Sequence, residues 1–165
     1  MTKDFINLTK VSSETLMELG KFSLLWAQFE LVYFDNDCTS NKLRYLNNVS
    51  KFNTIYDKLL TPMQQLVSEL LDYLEETKET ITLNDFHKRL YSQEYKGYFT
   101  EADNVIKNDT QGLELILGVL QIIFRLRSNL FHGLKDCYAI NKQVDLFKKV
   151  NAVLNAFIIN EYLID

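Results

Sequence analysis

Apolar residues recur at spacings of three and four along almost the whole chain, and the strict alternation of a half-buried strand is absent. That period predicts helices throughout. Ser12, with Glu14 in the first turn, opens a helix running to about Phe34; its apolar side is formed by Leu16, Leu19, Phe22, Trp26, Phe29 and Tyr33. Asp35-Asn36-Asp37-Cys38-Thr39-Ser40-Asn41 reads as a polar loop, and a second helix covers roughly 42–60. Thr61-Pro62 has the form of an N-cap followed by proline at the first helical position, so a third helix is expected from there to about Thr77. Thr82 to Asp85 resembles a capping box with a shorter acid and predicts a fourth helix through Leu90 or Tyr91. Residues 92–110 are the least regular stretch, with a short helix around Glu101 to Lys107. The central helix, 110–133, follows, and a last one runs from about Lys142 to Leu163. The expected fold is all-α: a single domain over 1–165, a bundle of about six helices around a four-helix core.

The central stretch, TQGLELILGVLQIIFRLRSNLFHG, is the most apolar run in the protein. It ends in the densest cluster of reactive side chains: Arg125, Arg127, Ser128, Asn129 and His132, with Gly133 following at once as a helix stop. On a wheel of about 100° per residue, Glu114, Gly118, Gln121, Arg125, Ser128 or Asn129, and His132 share one side. A polar strip thus runs down an otherwise buried helix. Arg127 stands about 140° from His132. Either the last turn distorts, or the two side chains meet across an interface between two copies.

Composition narrows the function classes. The 165 residues are 47% hydrophobic with a single Pro and five Gly, which argues against disorder and against a turn-rich β fold. A net charge of −4 speaks against a general nucleic-acid binder. The charge is uneven: residues 69–79 carry five acids against one Lys, whereas 120–149 carry six Lys and Arg against two Asp. One basic region can hold a phosphodiester locally. The N-terminus shows no charged-then-apolar export pattern, and the apolar run near 115–124 is too short for a bilayer, so a cytoplasmic, non-membrane protein is expected. Cys38 and Cys137 lie far apart without metal spacing and are expected as free thiols. With only two His and no glycine-rich phosphate loop, GxSxG or HExxH, no metal and no cofactor are expected. His87, among charged neighbours, reads as a surface residue.

His132 closing a helix can be a plain capping residue, because the macrodipole favours a cation there. The adjacent Arg125 and Arg127 oppose that charge and leave an imidazole able to titrate near neutrality. Such a His beside an Arg suits phosphodiester cleavage without a metal: one transfers the proton, the other steadies the phosphate charge.

Arg127-Ser128-Asn129-Leu130-Phe131-His132-Gly133 resembles the signature of the HEPN superfamily, Arg followed after four residues by His. The surrounding FRLRSNLFHGLK is similar to bacterial members, where Arg-Asn-Asn-Leu-Phe-His-Gly is a frequent form. Trp26-Ala27-Gln28-Phe29-Glu30 also looks like the family's early helix bearing Trp and Glu. The resemblance implies an α-helical bundle and a metal-independent endoribonuclease, often a homodimer with two motifs at one composite cleft. Many members act as toxins or in antiviral defence, and a small nucleotidyltransferase-like protein would be the corresponding antitoxin. Arg127 and His132 would be the catalytic pair; Arg125, Ser128 and Asn129 would support the RNA, and Glu30 would orient His132. Ser128 stands where the family usually has Asn, Asp or His, a departure in reach. Since some members are inactive, a second reading is a non-catalytic module whose polar patch binds a partner protein or a nucleotide.

Overall fold

The structure, a computed structural model, describes residues 8–44, 49–78, 91–92, 97–98, 100–131 and 140–161. After a 3-10 turn at Leu8–Lys10 come α1 (Ser13–Phe34), α2 (Ser40–Arg44) and α3 (Val49–Glu76). A minimal hairpin, β1 (Tyr91–Ser92) and β2 (Gly97–Tyr98), precedes α4 (Thr100–Lys107), α5 (Gly112–Phe131) and α6 (Val144–Glu161). The fold is all-α, a bundle of six helices among the described residues. α6 lies between α1 and α3, and α5 packs against α3, α2 and α4. The buried residues of all six helices form one core. Among the described residues, no helix is long and apolar enough to cross a membrane.

α1 begins where its capping chemistry places it. Ser12 is extended, its Oγ accepts from the backbone N–H of Thr15 at 3.1 Å, and its own N–H donates to Asn141 Oδ1 at 2.9 Å. Phe22, Trp26 and Phe29 then enter the core, where Phe29 meets Phe157 and Phe22 meets Phe147 with ring centroids 5.6 and 5.4 Å apart. Tyr33 donates its hydroxyl to the carbonyl of Phe157 at 3.0 Å, and burial raises its pKa. Lys51 pairs with Glu161 beside it. The expected inner residue Leu16 instead faces outward, and Thr15 and Glu18 are buried in that turn. The reason is a specific partner: Asn151 on α6 donates to Glu18 Oε2 at 2.9 Å and to the Glu18 carbonyl at 3.0 Å, while Lys21 reaches Oε1 at 2.7 Å.

Thr61-Pro62 does not start a helix: α3 runs continuously through it, with Pro62 inside. Proline removes one backbone hydrogen bond and crowds the preceding turn at a cost of about 3 kcal/mol. Phe52, Ile55, Leu59, Met63, Leu66 and Leu70 form a single stripe across that point, each 2% exposed or less. Burying such a side chain contributes about 1.5–3 kcal/mol, so the three residues after Pro62 outweigh the break. The expected second helix falls on α2 and the first half of α3, with residues 45–48 outside the described residues. Tyr91 is not helical but pairs with Tyr98 in the two-residue ladder, an extended element the periodicity did not predict. The rest of the expected fourth helix, His87 included, lies outside the described residues.

The polar strip on α5 has a packing role over its first half. Asn104 donates to Glu114, and Gln121 is fully buried, accepting from the Ala102 N–H at 3.0 Å and donating to Glu101 at 2.7 Å. At Gly118 a Cβ would lie 2.5 Å from the Glu101 carbonyl oxygen. These residues dock α4 against α5; only the C-terminal part of the strip is left for a ligand.

Candidate functional site

The site is built where side chains from the C-terminal half of α5 meet the inner face of α1. Trp26, 4% exposed, is fixed by Phe22 and Phe29 from its own helix and by Phe124 from α5, 6.1 Å between centroids. Phe124 and Arg127 are three residues apart and share a face of α5. The guanidinium of Arg127 therefore sits over the Trp26 ring, its Cζ 5.8 Å from the centroid. The indole Nε1 beneath is buried without a hydrogen-bond partner.

One turn beyond Trp26 stands Glu30. α1 ends at Phe34 because Asp35 and Asn36 both adopt left-handed backbone angles, φ 51° and 64°, a conformation that short polar side chains tolerate. Their N–H groups return to the Glu30 carbonyl, and the reversed chain donates the Cys38 N–H to Glu30 Oε1 at 3.0 Å. Cys38 is a buried free cysteine. Burial, reinforced by the Glu30 carboxylate and opposed by Arg127, pushes its thiol up to about 12. Trp26 and Glu30 are one turn apart on the same face of α1, so Arg127, resting on Trp26, lies on the side of α1 that carries Glu30.

The other sequence-derived residues divide between two faces. Arg125 stands about 160° around α5 from Arg127; both are half-buried, as is Ser128. Asn129, 7% exposed, lies one turn after Arg125, and its Oδ1 is buried without a hydrogen-bond partner. His132, Gly133 and Cys137 lie outside the described residues. The α1–α5 corner therefore unites Arg127 and Glu30, while Arg125 and Asn129 line the far side of the same helix. Among the described residues, no three His, Cys, Asp or Glu side chains converge to hold a metal ion.

Sequence reasoning missed Cys38 as the backbone clamp on Glu30. A signal existed: paired Asp35 and Asn36 directly after an apolar helix are left-handed stop residues that turn the chain back onto its last turn.

The corner combines a cation on an aromatic platform, a carboxylate held by a backbone N–H, an unpartnered indole donor and, across the helix, an unpartnered amide oxygen. Of these groups the Arg127 guanidinium is the one that suits an anion such as a phosphodiester; the Glu30 carboxylate is an acceptor, and the indole nitrogen and the Asn129 amide oxygen are buried. In comparisons with family models, with curated proteins and with solved structures, nothing matches the chain.

Proposed function

We propose that the chain is a metal-independent endoribonuclease of HEPN type, a toxin or an antiviral-defence effector. The observation that carries the reading is Arg127, the first residue of the RSNLFHG motif, held over Trp26 at the same corner as Glu30. In the proposed reaction, His132 takes the proton of an RNA 2′-hydroxyl. The 2′-oxygen attacks the adjacent phosphorus, and the bond to the 5′-oxygen breaks as that oxygen gains a proton. The products are a 2′,3′-cyclic phosphate and a free 5′-hydroxyl. Arg127 binds the non-bridging oxygens, where charge accumulates in the transition state. Arg125, Ser128 and Asn129 support the RNA strand, and Glu30 orients His132.

On an ideal helical wheel Arg127 and His132 stand about 140° apart, an offset that a homodimer would meet with a composite cleft taking one group from each copy. A small nucleotidyltransferase-like protein encoded by an adjacent gene would fit the role of antitoxin. The second reading, a non-catalytic module binding a partner protein or a nucleotide, draws on the same corner: Glu30 is already engaged by Cys38, and Arg127 by Trp26.

Incubation of a mixed RNA pool with the protein in EDTA decides between them. The expected result is cleavage in EDTA that leaves cyclic phosphate ends and disappears in His132→Ala. Activity lost in EDTA and restored by Mg²⁺ or Mn²⁺ overturns the mechanism, and wild-type protein inert on every RNA favours the binding module.

A further inference from the structure

α1 is apolar on both sides. Opposite Phe22, Trp26 and Phe29, its outer face carries Leu16, Met17, Leu24 and Leu31, between 41% and 75% exposed. A surface helix with two apolar faces implies that the second is covered. Met17, Leu24 and Leu31 are seven residues apart, and the positions between them on the same stripe, Gly20 and Ala27, are exposed and small. The stripe follows the 3-4 spacing of a coiled-coil seam, with large residues at one position and small ones at the other. A Cβ at Gly20 would meet nothing within 4 Å.

We infer that this stripe is an interface between two copies of the chain, α1 against α1, about a two-fold axis. An isologous contact needs one patch that complements itself, and this one carries both the knobs and the notches: Leu24 of each copy seats between Gly20 and Ala27 of the other. The exposed parts of the four large side chains come to roughly 400 Å² per copy, the scale at which an apolar patch is itself functional and about half of the ~800 Å² per partner of a standard interface. Charge permits it, since the one cation within the stripe, Lys21, is neutralised by its own Glu18 at 2.7 Å. A lipid surface is a poorer occupant: a helix lying on a membrane carries Lys and Arg along its polar border, whereas Glu14, Glu30 and Asp35 flank this one.

This seam is on the opposite side of α1 from the corner facing α5, so it is independent of the ribonuclease reading and of any composite cleft. Light scattering and sedimentation of the full chain at tens of micromolar test it with Leu24→Glu and Gly20→Leu. Both positions are exposed, so helical circular dichroism and melting should stay close to wild type. The expected result is that each variant has half the mass of the wild type, whatever the size of the wild-type assembly. Gly20→Leu is the sharper probe: it adds apolar surface yet fills the notch. A mass unchanged in Leu24→Glu, or unchanged or raised in Gly20→Leu, overturns the seam. So does wild-type protein that is monomeric, or that floats with phosphatidylcholine–phosphatidylglycerol vesicles while Leu24→Glu does not.

Discussion

Replacing Arg127 by alanine separates a structural from a catalytic role, because loss of its contact with Trp26 and loss of charge stabilisation differ in expected size. Its guanidinium lies 5.8 Å from the Trp26 centroid, at the outer limit of effective cation–π contact, on a half-buried residue. Such a contact is worth about 0.5–2 kcal/mol. For a chain of this size each kcal/mol lowers Tm by about 2–4 °C, so loss of the Trp26 contact by itself accounts for about 1–8 °C of the drop in Arg127→Ala. Loss of a group that stabilises transition-state charge costs about 10²–10³-fold in rate, which takes cleavage below detection in a gel assay. Arg127→Lys keeps the charge but neither the stacking plane nor the two-pronged donor geometry; it should recover most of the melting temperature and little of the activity. A double-mutant cycle with Trp26→Phe should return a coupling of about 0.5–1 kcal/mol. The assay pairs thermal melts with cleavage of a mixed RNA pool. Variants that melt as expected but cleave as fast as wild type would remove Arg127 from the active site. A loss beyond about 10 °C would make it a core packing group instead.

Three further outcomes test the framework around the site. Gly118→Ala places a methyl 2.5 Å from the Glu101 carbonyl oxygen and should cost about 1–3 kcal/mol as α4 lifts from α5; an unchanged denaturation midpoint contradicts that seam. Pro62→Ala restores a backbone donor inside α3 and should raise stability by about 1–3 kcal/mol, whereas a loss would mean the helix depends on its proline. The Cys38 thiol, raised from 9.0 to about 12 in the fold, stays protonated where the unfolded chain ionises. Its contribution is therefore intact below pH 9 and falls between pH 9 and 12, at about 1.4 kcal/mol per pH unit. Denaturant unfolding of wild type should steepen in that window relative to Cys38→Ala, and parallel profiles would refute the burial argument.

Much of this molecule is legible without its tertiary structure. Ser12 starts α1 and the Asp35-Asn36 pair ends it, while the runs over 100–107, 112–131 and 144–161 stand as α4, α5 and α6, because capping and 3.6-residue periodicity are local properties. The RSNLFHG segment is legible for the same reason: a motif is a local string. What only the fold decided is which partner each face meets. Thr61-Pro62 reads locally as a helix start, yet a buried stripe spanning it holds α3 intact. Gly118 and Gln121 read as part of a polar strip on a buried helix, and α4 fills it. Glu18 takes an inner position because Asn151 comes from 133 residues away to meet it. Glu30 is held by a loop, and Arg127 rests on a tryptophan 101 positions earlier in the chain, where side chains of α1 and α5 meet. Periodicity states that residues share a face; the free energy of that face depends on the atoms opposite, and those belong to elements distant in sequence.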